Sequence, residues 1–139
     1  CFPNDDKIRL CEEGGVVLSD IEIRNPSLIH AKLGAYIAVR DYGIDDEEIL
    51  DAIRTHTTGS PDMNMLQKIV FVADLIEPNR QRDIPGIEET RRLAFEDIDR
   101  CIWRITARQL ELLESNPNKE IDPMTQKTYD YYREKFDGC

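Results

Sequence analysis

Lys68-Ile69-Val70-Phe71-Val72-Ala73-Asp74-Leu75-Ile76-Glu77-Pro78 is the stretch on which the fold turns. From Ile69 to Ile76 every residue but Asp74 is apolar. The run is far short of the roughly 20 apolar residues that a membrane span needs, and Pro78, which cannot continue a helix, closes it. Its composition predicts a helix buried on most sides. An unpaired carboxylate inside such a helix costs on the order of several kcal/mol or is forced to protonate. Asp74 therefore calls for a cation: a metal, an arginine or a lysine.

Outward from this stretch, helix punctuation recurs. Ser60-Pro61 predicts the start of the same helix, and Asp45 or Asp46 caps an earlier one through about Thr55. Asn25-Pro26 combines an N-cap with proline at the first helical position, for a helix to Tyr42 that Gly43 closes. Asp5 or Asp6 opens a first helix through Cys11, stopped by Gly14-Gly15, and Val16-Val17-Leu18 reads as a brief extended piece. Downstream, an irregular stretch runs to Gly86. Glu88 to Glu114 supplies one long helix or two, and Asp122-Pro123 opens the last, ending near Gly138. Leu93, Ile98, Ile102, Ile105, Leu110 and Leu113 recur at helical spacing as core positions, with Trp103 beside them. The acidic runs Asp45-Asp46-Glu47-Glu48 and Glu88-Glu89 stand near helix starts, where they complement the helix dipole. No strand alternation or hairpin dipeptide competes, so the expected fold class is all-α.

The 139 residues, 40% of them apolar, suit a single domain with a core. A net charge of −10 argues against binding a nucleic acid polymer, which rests on clustered Lys and Arg. An anionic ligand would need positive charge supplied locally, by a few arginines or a metal. The four cysteines, Cys1, Cys11, Cys101 and Cys139, contain no CxxC pair and read as reduced thiols of a cytoplasmic protein with no membrane attachment. Cys1 in first place would also suit a mature lipoprotein, but no flexible polar tether follows it. The start is expected to reflect processing or a piece of a longer chain.

The chain has two histidines. His30 precedes Gly34 by one helical turn, and a glycine inside a helix costs about 1 kcal/mol relative to alanine, which suggests a close approach to the backbone beside the imidazole. His56 closes a helix and enters the polar turn Thr57-Thr58-Gly59-Ser60-Pro61. Each taken singly is as well read as a hydrogen-bonded, semi-buried histidine. With Asp74 they form a nitrogen and oxygen set from three successive helices, suited to iron, manganese or zinc. In Glu77-Pro78-Asn79-Arg80-Gln81-Arg82, the guanidinium groups of Arg80 and Arg82 can grip phosphate oxygens or form surface ion pairs. Lys68, about one and a half turns before Asp74, adds a phosphate contact or lies on an exposed face.

Five segments carry a resemblance: Leu28-Ile29-His30 with Gly34-Ala35; Gly43-Ile44-Asp45-Asp46-Glu47; Ala52-Ile53-Arg54-Thr55-His56-Thr57-Thr58-Gly59; Lys68 through Arg80; and Ile121-Asp122-Pro123-Met124-Thr125. In this order they closely resemble the YqeK family, bacterial HD-domain hydrolases that split diadenosine tetraphosphate symmetrically into two ADP. The resemblance implies an all-α HD-domain helical bundle and a homodimer. It also implies a binuclear transition-metal centre, commonly iron, that activates water for attack on phosphorus. It assigns Asp74 as the last ligand of the HD signature and His30 and His56 as ligands of the second metal. It puts Arg80 on the polyphosphate as a catalytic candidate and Thr57, Thr58 and Gly59 in the turn that contacts the dinucleoside polyphosphate, while Lys68 as a second catalytic candidate and Arg82 as a further substrate contact rest on the residues alone. The sequence departs from the family in one respect: the signature opens with a histidine and then an adjacent His-Asp pair, and no His-Asp dipeptide occurs here. The expectation is a chain that begins after that pair, lacks the upstream helices, binds metal weakly and turns over little substrate alone. Two other readings stay open, another HD-domain nucleotide or cyclic-dinucleotide phosphohydrolase and a non-catalytic helical ligand-binding domain.

Overall fold

Helices alone make up the regular structure among the described residues of the computed structural model, which are 2–79 and 84–137. None of these helices is long and apolar enough to cross a membrane. The chain divides into two compact units, residues 1–57 and 58–139.

The first unit holds α1 (Asn4–Glu13), α2 (Asp20–Arg24), a 3-10 turn (Pro26–Ile29), α3 (His30–Tyr42) and α4 (Glu47–Thr55). Helix α2 is an addition to the sequence reading, set by a capping box in which the Ser19 hydroxyl accepts from Glu22 N–H and the Glu22 carboxylate accepts from Ser19 N–H at 2.7 Å. Glu22 is buried and also takes Lys32 Nζ at 2.9 Å. Burial pushes its carboxyl up, but the Ser19 amide and Lys32 outweigh that and hold it below the usual carboxylate range. The predicted single helix from Asn25-Pro26 to Tyr42 is split. Pro26–Ile29 winds as a 3-10 turn, and Asn25 caps with no side-chain bond, its amide instead donating to Ile21 O. Gly43, at φ 64°, ends α3 in the left-handed conformation, with Gly43 N–H donating to Val39 O and Ile44 N–H to Ala38 O. Residues 16–18 form no strand. Leu10, Cys11, Ile29 and Leu33 pack α1 onto the 3-10 turn and α3, and Ala35, Ala38 and Leu50 pack α3 onto α4.

The second unit holds α5 (Met65–Ile76), α6 (Ile87–Glu96), α7 (Ile98–Glu114) and α8 (Pro123–Asp137). Helix α5 begins at Met65 rather than at Ser60-Pro61. Asp62 takes a positive φ of 53°, which breaks any helix there, and Asn64 and Gln67 form the capping box. The stretch from Glu88 to Glu114 is two helices, because Asp97 is extended and its side chain accepts from Arg100 N–H to start α7. Helix α7 is central, packing on α5, α6 and α8 around Phe71, Val72, Cys101, Ile102, Ile105 and Tyr132. Trp103 is only half-buried and stacks on Phe136.

Candidate functional site

His30 opens α3 and His56 caps the end of α4, and the pairing of these helices brings the two rings together. In both, Nδ1 lies against the carbonyl three residues earlier: Ser27 O at 2.8 Å for His30 and Ile53 O at 2.5 Å for His56. A carbonyl only accepts, so each Nδ1 carries the hydrogen and each neutral ring keeps its lone pair on Nε2. Those two Nε2 atoms face one another at 3.2 Å, with the ring planes at 72°. Thr57 Oγ1 stands 3.1 Å from the first and 3.4 Å from the second, and its single hydrogen satisfies one of them.

Two unprotonated nitrogens at this separation repel unless a proton or a cation lies between them. A backbone carbonyl behind each imidazole is the support that orients metal-ligating histidines. The residues of the first unit therefore fit a transition-metal ion, for which imidazole nitrogen suits iron and zinc. Among the described residues, neither unit by itself gathers three or more His, Cys, Asp or Glu side chains fit to hold a metal.

The close approach predicted at Gly34 is absent, since nothing crowds the backbone there enough to require a glycine. A Cβ there would meet Ile53 Cγ2 at 3.4 Å, ordinary packing distance. Helices α3 and α4 pack beside this residue without needing the glycine.

In the second unit, Thr58 Oγ1 donates to Gly59 O at 2.9 Å. Gly59 is buried at φ 66°, and a Cβ on it would lie 2.8 Å from Thr128 Cγ2 of α8. Packing and backbone conformation alone require this glycine. Lys68 corrects the expectation of an exposed position: its half-buried ammonium pairs with Asp99 at 2.7 Å and lies over the Tyr132 ring. Asp99 also takes Lys135 at 2.8 Å; burial raises its carboxyl, but the two lysines outweigh this and hold it low.

Asp74 brings a second correction, since it is exposed. Lys68, Phe71, Val72 and Leu75 form the packed face of α5, while Asp74 falls on the other side with Ala73 and with Ile69, which is 51% exposed. An exposed carboxylate carries no large desolvation cost, so burial gives Asp74 no need of a cation. Arg80 and Arg82 lie outside the described residues. The sequence reading named Thr57 for the substrate side but missed that its hydroxyl stands beside both rings. Its only signal was its place directly after His56.

No protein-family model matches the chain. It is 43% identical over 107 residues to the symmetrical bis(5'-nucleosyl)-tetraphosphatase of Bacillus subtilis (strain 168), covering 77% of this chain and 56% of that protein. To the protein of the same name from Halalkalibacterium halodurans it is 43% identical over 128 residues, 92% of this chain and 67% of the relative. Among solved structures, a protein from Clostridium acetobutylicum named a predicted HD superfamily hydrolase involved in NAD metabolism superposes with a TM-score of 0.88. The two share 33% identity over 96% of this chain and 69% of the other. The chain thus spans between about half and about two thirds of the length of these two curated relatives.

Proposed function

Because the chain belongs to the symmetrical bis(5'-nucleosyl)-tetraphosphatase family of HD hydrolases, we propose that it takes part in splitting diadenosine tetraphosphate into two ADP at a transition-metal centre. The observation that carries this reading is the pair of Nε2 atoms turned toward each other, each ring held from behind by a carbonyl. His30 and His56 act as ligands with their Nδ1 protons fixed, and Asp74 is a ligand by resemblance to the HD signature. A bound metal of this kind, in a binuclear iron centre or one of manganese or zinc, supplies an activated water and positive charge for the phosphoryl oxygens.

The chain's own residues do the rest. Thr57, whose hydroxyl stands beside both Nε2 atoms, belongs with Thr58 and Gly59 to the turn that the family resemblance assigns to the substrate side. Arg80 and Arg82 grip the polyphosphate, a role supported by their place just after Glu77-Pro78 and by the bidentate geometry of guanidinium. Lys68 is left out of the phosphate contacts, since Asp99 holds its charge. Cys11 and Cys101, both buried free thiols, are in keeping with a reducing, cytoplasmic setting, and a homodimer follows from the resemblance.

The test is a product assay on the natural protein that contains this chain, loaded with iron or manganese. ADP as the sole nucleotide product from diadenosine tetraphosphate is expected. A mixture of AMP and ATP, or turnover of cyclic dinucleotides alone, overturns the reading in favour of another HD phosphohydrolase.

A further inference from the structure

Within the second unit, α6 and α7 border a cavity of about 1030 Å³, at the upper end of the roughly 300–1,000 Å³ found for ligand sites. Arg100, Arg104 and Arg108 stand at four-residue spacing on α7, and all three line it, joined by Arg92 of α6. In a chain of charge −10 this is a local concentration of positive charge. Arg92 is paired with Glu89 and Glu96, and Arg100 with Asp97. The other two are bound to neutral groups. Arg104 donates to Thr90 Oγ1 at 3.0 Å and Gly86 O at 3.5 Å, and Arg108 donates to Pro85 O at 2.9 Å. Among the described residues no carboxylate forms an ion pair with either. Glu89 and Glu111 also line the cavity, and Glu89 is engaged by Arg92.

Two further features define the occupant. Trp103, backed by Phe136, contributes an aromatic surface beside the aliphatic Leu75, Ile76 and Leu93. Gln109 lines the same cavity, and its Oε1 is buried without a hydrogen-bond partner among the described residues. A buried acceptor left unpaired is costly, so it selects a ligand that brings a donor. We propose that this cavity binds a purine nucleoside monophosphate, with the adenine ring against Trp103, its exocyclic amine donating to Gln109 Oε1 as that amide turns into the cavity, and its phosphate held by Arg104 and Arg108. The site uses none of the metal-ligand candidates and stands whether or not the hydrolase reading holds.

Trp103 is the chain's only tryptophan, so its fluorescence reports occupancy directly. The experiment titrates AMP, IMP and inorganic phosphate into the full chain in EDTA. AMP is expected to give a saturable change. Arg104→Gln and Arg108→Gln each weaken AMP and phosphate binding about tenfold or more, as loss of a charge-assisted contact does. Gln109→Leu leaves phosphate binding intact and removes the preference for AMP over IMP, which has no amine at that position. The double variant His30→Ala/His56→Ala binds AMP like the parent. Circular dichroism checks folding, and Arg108→Gln, which loses only the bond to Pro85 O, carries the test if Arg104→Gln does not fold. The proposal is overturned by no saturable change up to millimolar AMP, by affinity unaltered in the folded arginine variants, by Gln109→Leu keeping the AMP preference, or by loss of binding in the histidine double variant.

Discussion

His30 and His56 each repeat one local device, an imidazole Nδ1 bonded to the carbonyl three residues before it. The device leaves both Nε2 atoms as acceptors, and only a proton or a cation relieves their meeting at 3.2 Å. His30→Ala or His56→Ala is therefore expected to lower the metal retained after desalting by at least about tenfold in affinity, as loss of a ligand exceeds the roughly 10–100-fold cost of losing a supporting contact. Elemental analysis of the purified variants reads this, and retention equal to the parent's would remove the pair from the metal centre. At Gly59 the expectation concerns stability. Gly59→Ala meets both the positive φ and the Thr128 methyl group, and is expected to cost about 2 kcal/mol or more, read as a lowered urea midpoint. The sequence marked both histidines as unusual and gave Gly59 only a place in a polar turn. It was silent on their reasons, because Thr128 and the opposing imidazole are distant along the chain and enter only through packing.

For helices, local chemistry was legible wherever a cap competed with nothing. Asp46 starts α4 and Gly43 ends α3 as the sequence reading had them. At α5 the sequence reading had one start, Ser60-Pro61, and the structure supplies a second, Asn64 with Gln67. The second prevails, with Asp62 in a left-handed conformation and Met63 N–H committed to Tyr132 OH at 3.2 Å. Asn64→Ala is expected to cost about 1 kcal/mol, the usual loss for an N-cap, and Tyr132→Phe about 1–3 kcal/mol because it strands a buried N–H. Thermal or urea denaturation measures both, and a neutral Tyr132→Phe would show that the hydroxyl does not anchor the turn before α5. The uniformly apolar α5 sequence also hid which face packs. Apolar residues on both sides erase the pattern that distinguishes buried from exposed, so Asp74 was placed inside when it lies outside.

Over the whole molecule, each unit carries one carboxylate held low by a lysine: Glu22 with Lys32 in the first, and Asp99 with Lys68 and Lys135 in the second. A folded pKa below the unfolded value adds stability that is fully present above the unfolded value of about 4 and is lost as pH falls through the folded one. Acid unfolding followed by circular dichroism is expected to steepen below about pH 4. Glu22→Gln and Asp99→Asn are each expected to flatten that limb while lowering stability at neutral pH. A limb unchanged in both variants would place the acid dependence elsewhere. By itself the sequence determined an all-α chain, most of its helix ends, the absence of a membrane-length apolar run and the two histidines worth watching, because caps, prolines and apolar runs act over a few neighbouring residues. Tertiary structure alone decided that Lys68 pairs with Asp99, that Asp74 is exposed and that the two imidazoles face each other. Those outcomes depend on which helix faces meet, and a contact between residues 26 or 31 positions apart leaves no local trace in the chain.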